Sequence, residues 1–433
     1  MLLKRLQLGL IHVAVAMTLV PINSTLNRVM IKELAVSATL VALLASLPYL
    51  FSPIQVAIGS FADRHPILGL RRSPYILLGL LFCVSGVVLA PQAAYLLASN
   101  FWAGLGLGLV TFGAWGMGFN FATVSYLSLA SELSGERGRG KTIAVMWFMM
   151  IASIIVTAIA LSQMVDPYTP QALERAFWMV GLAALLLGLI GLAGLERRTS
   201  GERTTAESYT WGKMVAAILE NRQATLFFWY LTILLAAILG QDILLEPFGA
   251  EAFGLSVQAT TRITSLWGGC VLAALLLAGA LESRLGKRSV ARWGAWSALL
   301  GFALIVVSGL LLNQGVFYLG VVLLGAGTGL STVSNLSLML DMTTTENVGL
   351  FIGAWGMANA ASRLVGTVLG GAVRDVVTQA AGEPLAGYVT VFAIEAAMLA
   401  ASLLLLRRIN VSAFQQKASS ISMVERAAMA SDV

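Results

Sequence analysis

YLSLASE at residues 126–132 returns 209 residues later as NLSLMLD at 335–341, and Gly140 then matches Gly349 at the same offset. A second pair sits nearer the start of each half: GSFADR at 59–64 aligns with GALESR at 279–284. The flanking sequence is long apolar blocks, each close to the ~20 residues a helix needs to cross the hydrocarbon of a bilayer. Two copies of one helical unit, running in the same direction along the chain, therefore make up the molecule.

Composition sets the class. The 433 residues are 58% hydrophobic and 11% charged, against roughly 25% charged in an ordinary soluble domain. So few charges cannot cover a water-facing surface, and the apolar blocks lack the polar stripe of a soluble helix. The chain reads as an all-α membrane protein. Spans are expected near 6–27, 37–61, 74–97, 101–129, 142–164, 175–195, 224–248, 257–281, 290–312, 316–340, 348–373 and 386–406: twelve helices in two six-helix parallel repeats. The expected units are an N-terminal bundle (1–195), a linker (196–222), a C-terminal bundle (223–406) and a polar tail (407–433). Lys4 and Arg5 before an apolar run resemble a signal peptide, but the run continues past the Ala14-Val15-Ala16 site, so it is read as a first span that is kept.

The formal charge of +6 reflects topology rather than affinity for nucleic acid. All lysines and arginines fall on one side of this arrangement except Arg28, Lys32, Arg175 and Arg374 on the other and Arg262 and Arg363 inside spans. The positive-inside rule then puts both termini on the cytoplasmic side of a bacterial inner membrane. Cys83 and Cys270 lie far apart without a CxxC spacing and read as packed thiols.

Charges and amides within apolar spans carry the most information, because lipid penalises them. Asp242 and Glu246, in GQDILLEP (240–247), fall one turn apart on one helix face, beside Gln241. Asn23 and Asn27 are their repeat partners, and Arg28 follows. These residues are expected around a central pathway, with a charge pair between Arg28 and Glu246 or Asp242 as an outer gate or a site for a polar headgroup. Arg363 is a further pathway candidate that can pair with Glu395, and Arg262 either snorkels or binds Asp242. In the loop GSFADRHPILGLRR (59–72), Gly59, Asp63, Arg64, Arg71 and Arg72, with Glu132, Arg137 and Arg139, form a candidate cytoplasmic latch. Asp63 is expected to hold one rigid-body state by accepting from an arginine or a helix N-terminus. Ser283 at the aligned position weakens the latch in the second half. His12, in mid-span, is a candidate ligand for the magnesium of a chlorophyll-type ring, against the plainer reading of a packed core histidine. Trp115, Trp147, Phe148, Trp267 and Trp355 suit a large apolar ring, a partner helix or simple packing. Glycines at 104, 106, 108, 113, 116 and 118, and at 325, 329, 366 and 370, let backbones approach closely. No phosphate-binding loop, HExxH or GxSxG string is found, and no enzyme is expected.

The Gly–Asp–Arg loop resembles the signature of the major facilitator superfamily. The longer strings TLNRVMI (25–31), ADRHPILGLRRSPYI (62–76), FNFATVSYLSLASEL (119–133), GERGRGKTIAVMWFMMI (135–151) and QDILLEPFGAEAFGLSV (241–257) resemble the PucC/LhaA family, its bacteriochlorophyll-delivery branch. The resemblance runs from the first helix to the twelfth and stops before the tail. It implies a major facilitator fold and a role in photosynthetic bacteria: assembling light-harvesting complexes by binding antenna polypeptides and handling (bacterio)chlorophyll as cargo, with no tightly bound cofactor. The alternative from the residues alone is a proton-coupled secondary transporter of a small amphipathic solute, with Asp242 or Glu246 as the coupling carboxylate.

Overall fold

The chain, seen in a computed structural model, is helical nearly throughout; the structure describes residues 2–196, 198, 219, 222–342 and 348–410. Among these residues ten helices are long and apolar enough to span a membrane. They are α1 (Leu2–Glu33), α3 (Ser73–Ser99), α4 (Phe101–Gly135), α5 (Lys141–Met164), α6 (Pro170–Leu192), α7 (Arg222–Ile243), α8 (Val257–Leu285), α9 (Lys287–Leu311), α10 (Gln314–Asp341) and α12 (Pro384–Leu406). The two segments that complete the expected twelve are α2 and α11. Segment α2 (38–64) is broken into Ala38–Ala45, Leu47–Leu50, Ser52–Ile54 and Gln55–Arg64. Pro48 and Pro53 sit in the first turn of two of these pieces, where a missing N–H is harmless but a straight helix is interrupted. Segment α11 (Val348–Ala381) is one continuous helix whose apolar character is diluted by Asn359, Arg363 and Arg374. Most of the expected linker, and the tail from 411 onward, lie outside the described residues.

The repeat is visible in the packing. Glycines of α3 and α4 bring their backbones together: a Cβ on Gly79 would lie 2.5 Å from Ala122 N, and one on Gly118 would lie 2.5 Å from Gly79 O. The same contacts recur between α9 and α10, where a Cβ on Gly294 would lie 2.8 Å from Ser331 N and one on Gly327 2.7 Å from Gly294 O. In lipid such close packing supplies the attraction that the hydrophobic effect cannot. Gly325, Gly329 and Gly366 do likewise against Trp267 O, Val271 O and Ala236 O.

The two sets of six meet along two seams. Gly371 of α11 lies against Ala38 of α2, and Gly268 of α8 lies against Ile155 of α5. The inner ends of α1 and α7 fill the space between the seams, and neither is a regular helix there. Pro21–Leu26 and Val29–Glu33 are wound as π-helix, and α7 tightens into a 3₁₀ turn at Gln241–Ile243 before resuming as the short helix Leu245–Phe253. Broken helices at corresponding places in two repeats are the usual way a membrane fold frees backbone and side chains to face a central site.

Candidate functional site

A cavity of about 450 Å³ lies between the two sets of helices. That is the range of a small-molecule site. Its wall on the N-terminal side is apolar, with Leu19, Val20, Phe119, Met150, Ile151 and Ile154. On the C-terminal side Trp267, Val271, Leu275 and Trp355 face it, joined by the hydroxyls of Thr328 and Thr332. The breaks in α1 and α7 place a polar group of Asn23, Ser24, Gln241, Asp242 and Glu246 on the same cavity, with Tyr49, Thr264 and Arg363 around them.

Each charge in this polar group has a defined partner. Arg363 Nη1 donates to Asp242 Oδ2, and its guanidinium lies 5.2 Å from the centre of the Tyr49 ring across the interface. Gln241 Nε2 donates to Asp242 Oδ1 at 3.1 Å. Glu246, only 3% exposed, accepts at Oε1 from Ser24 Oγ and from Thr264 Oγ1, both at 2.5 Å. Its Oε2 is buried with no hydrogen-bond partner. Asn27 is fully buried and donates from Nδ2 to Asn23 O at 3.2 Å.

Three expected pairings are corrected. Arg28 does not reach Glu246 or Asp242; it donates from Nη1 to Glu33 and from Nη2 to Leu255 O at 3.2 Å. The π-helical winding of 21–33 swings Arg28 toward the end of its own segment, leaving Ser24 to face Glu246. Arg363 pairs with Asp242 rather than Glu395, whose two oxygens are buried beside Gly240 without a partner. Arg262 is exposed on α8 and is not part of the cavity wall, so the expected link to Asp242 is not made.

His12 also falls outside the cavity wall. It is 7% exposed, its ring centre 4.9 Å from Tyr126 and 6.3 Å from Trp147, and its Nδ1 has no partner. Trp147, one of its two ring neighbours, does line the cavity.

The latch residues do come together, but within one half. Arg72 bonds Asp63 at 2.6 Å and Glu132 at 2.9 Å, while Glu196 accepts from the backbone N–H groups of Arg71, Arg72 and Ser73 at the start of α3. Arg64 turns back to Ser60. A Cβ on Gly59 would touch Val124 of α4 at 3.3 Å. Asp63 thus accepts from an arginine as expected, and the partners of Asp63, Arg64, Arg72 and Glu132 seen among the described residues are N-terminal. The side chains of Arg137 and Arg139 lie outside the described residues. In the second half Lys287 bonds Asp341 at 2.5 Å, and Ser337 donates to Glu282 at 3.0 Å.

The two ends of the molecule differ in how the halves are tied. At the end away from Arg64, Arg72 and Lys287, the links cross between halves. Asp375 accepts from Ala38 N at 3.1 Å, Thr39 N at 2.7 Å and Thr39 Oγ1 at 2.7 Å. Lys32 bonds Glu251 at 2.6 Å, and Thr25 bonds Thr261 at 3.0 Å. At the basic end the side-chain bonds among described residues stay within a half. The halves are thus tied together at the basic-poor end. Asp375, Ser24 and Thr264 were not singled out from sequence; for Ser24 the nearest signal was its place between Asn23 and Asn27.

Comparisons with known proteins agree with this architecture. Residues 25–414 match the family described as PUCC protein. The chain is 32% identical to Protein PucC of Rhodobacter capsulatus over 92% of this chain and 90% of that protein. It is 27% identical to the bacteriochlorophyll synthase 44.5 kDa chain of the same species, over 86% and 88% of the two chains. Among solved structures, a D-xylose–proton symporter superposes with a TM-score of 0.71 at 14% identity, covering 94% of this chain and 97% of that one.

Proposed function

Because the chain belongs to the PucC family, with the fold of a major facilitator transporter, we propose that it assists the assembly of light-harvesting complexes in photosynthetic bacteria by binding and handing over a chlorophyll-type pigment. The observation that carries this reading is the central cavity, with one wall apolar and the other bearing Trp267 and Trp355. The apolar and aromatic part of such a lining accepts a flat apolar ring, with the polar group of Asp242, Glu246 and Arg363 to one side of it. The name of the bacteriochlorophyll synthase chain supports the pigment link. The partners on this reading are the lipid bilayer, the pigment and antenna polypeptides, and the protein acts as a carrier or assembly factor rather than an enzyme. Both termini and the basic end face the cytoplasm, in line with the distribution of lysine and arginine.

The test is purification of the tagged protein from its native membrane in a gentle detergent, read by absorption spectrum and mass spectrometry. Co-purification of a chlorophyll-type pigment with small antenna polypeptides is the expected result. A colourless, solitary protein overturns it.

One observation favours a second reading as a proton-coupled transporter of a small amphipathic solute. Asp242 and Arg363 form a half-buried ion pair on the cavity, in a fold shared with a proton symporter. On that reading Asp242→Asn abolishes proton-coupled flux in vesicles. On the assembly reading the same change leaves pigment association in place.

A further inference from the structure

Glu395 lies midway along α12, is 4% exposed, and has no hydrogen-bond partner at either carboxyl oxygen. An ionised carboxylate left so in a membrane core is costly, and a neutral acid costs far less. The helices around it supply no free cation among the described residues. At the meeting of α7, α11 and α12, a Cβ on Gly240 would lie 2.8 Å from Glu395 Oε1 and 3.2 Å from Gly366 O. Helix α9, also packed on α12, has no ionisable residue between Arg292 and Leu311. The short helix Leu245–Phe253 brings Glu246, held by Ser24 and Thr264, and Glu251, bonded to Lys32. On α12 itself Tyr388, two turns away, lies under Arg374, which bonds Asp375. On α7, Tyr230 donates to Asn335. The charged group in electrostatic reach of Glu395 is Asp242, and Arg363 is already bonded to it.

We propose that Glu395 is a proton-binding site coupled to Asp242, the two carboxyls sharing one arginine and one proton. The site does not rest on the choice of cargo. Arg363 balances Asp242, so a proton is what remains to balance Glu395; two bare carboxylates beside one arginine would repel. The two acids differ in access, since Asp242 lines the cavity and Glu395 does not. A void of about 10 Å³, room for one water, adjoins Asp242, Arg363 and Thr367, the neighbour of Gly366. When Arg363 shifts its charge from Asp242 toward Glu395, the proton of the Glu395 carboxyl passes to the Asp242 carboxylate. The pair and the proton have then exchanged places and the net charge is unchanged. Asp242 trades that proton with water in the cavity, and the reverse path reloads Glu395. Carboxyl chains of this kind are how protons are carried within membrane spans.

The experiment records infrared difference spectra of the purified full-length protein at neutral pH, in a detergent free of ester groups, in H2O and in D2O. Wild type minus Glu395→Gln is expected to show the carbonyl stretch of a protonated carboxyl. It should fall at the high-frequency end of the acid range, because neither oxygen is hydrogen-bonded, and should move down in D2O. Asp242→Asn leaves Arg363 without its carboxylate, so the acid band is expected to vanish as Glu395 ionises to balance the arginine. Adding Arg363→Met to Asp242→Asn removes the cation and is expected to bring the band back. Should Glu395→Gln not yield folded protein, Glu395→Asp, which keeps the acid and moves the band, makes the assignment. No acid band in the wild-type difference, or one that Glu395→Asp leaves in place, overturns the site. A band that D2O leaves unmoved shows a sealed acid and overturns proton exchange. A band that persists in Asp242→Asn overturns the coupling. None of these readings depends on pigment, so the cargo assignment stands or falls separately.

Discussion

Asp242 and Glu246 stand one helical turn apart, yet their surroundings give them separate tasks. Asp242 is paired with Arg363, a half-buried pair whose members are worth more together than apart, since removing one leaves the other's charge unmatched on the cavity wall. Arg363→Met is therefore expected to destabilise the protein by about 1–3 kcal/mol, read as a lower thermal unfolding midpoint in detergent. Adding Asp242→Asn should recover most of the loss, because the double variant leaves no stranded charge. An unchanged midpoint in Arg363→Met would show that the pair is not formed. Sequence placed Asp242, Glu246, Arg363 and Asn23 on one pathway, and they do share one cavity. The same reasoning gave Arg28 and Glu395 the wrong partners. Which of several charges meets which depends on the local winding at 21–33 and 241–243, and a linear pattern of residue types does not encode that winding.

At the scale of the helix, small residues govern how closely the spans approach. Gly118 abuts the backbone of Gly79 and Cys83, whereas Gly106 of the same helix has nothing within 4 Å of an added Cβ. Gly118→Leu should prevent close packing of α3 on α4 at a cost of about 1–3 kcal/mol or more, seen as loss of monodisperse protein on size exclusion. Gly106→Leu should be tolerated in lipid. Equal behaviour of the two variants would remove packing as the explanation of the glycine pattern. The spans themselves were legible from hydropathy, and so was the repeat, which the α3–α4 and α9–α10 contacts reproduce residue by residue. The interruptions were not: Pro21, Pro48 and Pro53 signal breaks, but a proline in a membrane helix gives only a kink unless neighbours accept the freed backbone groups.

For the whole molecule, the decisive feature is the contrast between its ends. Asp375 accepts three hydrogen bonds from the start of α2, two of them from backbone N–H groups at the positive end of that helix. Together with Lys32–Glu251 and Thr25–Thr261 this ties the halves at the basic-poor end. Asp375→Ala should loosen that end. Spin labels at Ala35 and Glu383, introduced after replacing Cys83 and Cys270, should report longer and broader distances in the variant than in the parent. Identical distributions would mean that Asp375 caps α2 without restraining the halves. At the opposite end, among the described residues, Asp63 and Arg72 brace one half internally.

Hydropathy, the internal repeat and the distribution of basic residues were enough to specify a helical membrane protein of two parallel six-span units, because each is a property of sequence measured against the fixed thickness of a bilayer. Family strings supplied the expected cargo by resemblance. Tertiary structure alone decided which charges pair, that His12 sits beside Trp147 rather than on the cavity, and that Glu246 keeps one oxygen unbonded. Those outcomes depend on how two irregular helix ends, 219 residues apart in sequence, are wound and brought face to face. Winding of that kind is settled by contacts between the halves, and no single stretch of the chain contains them.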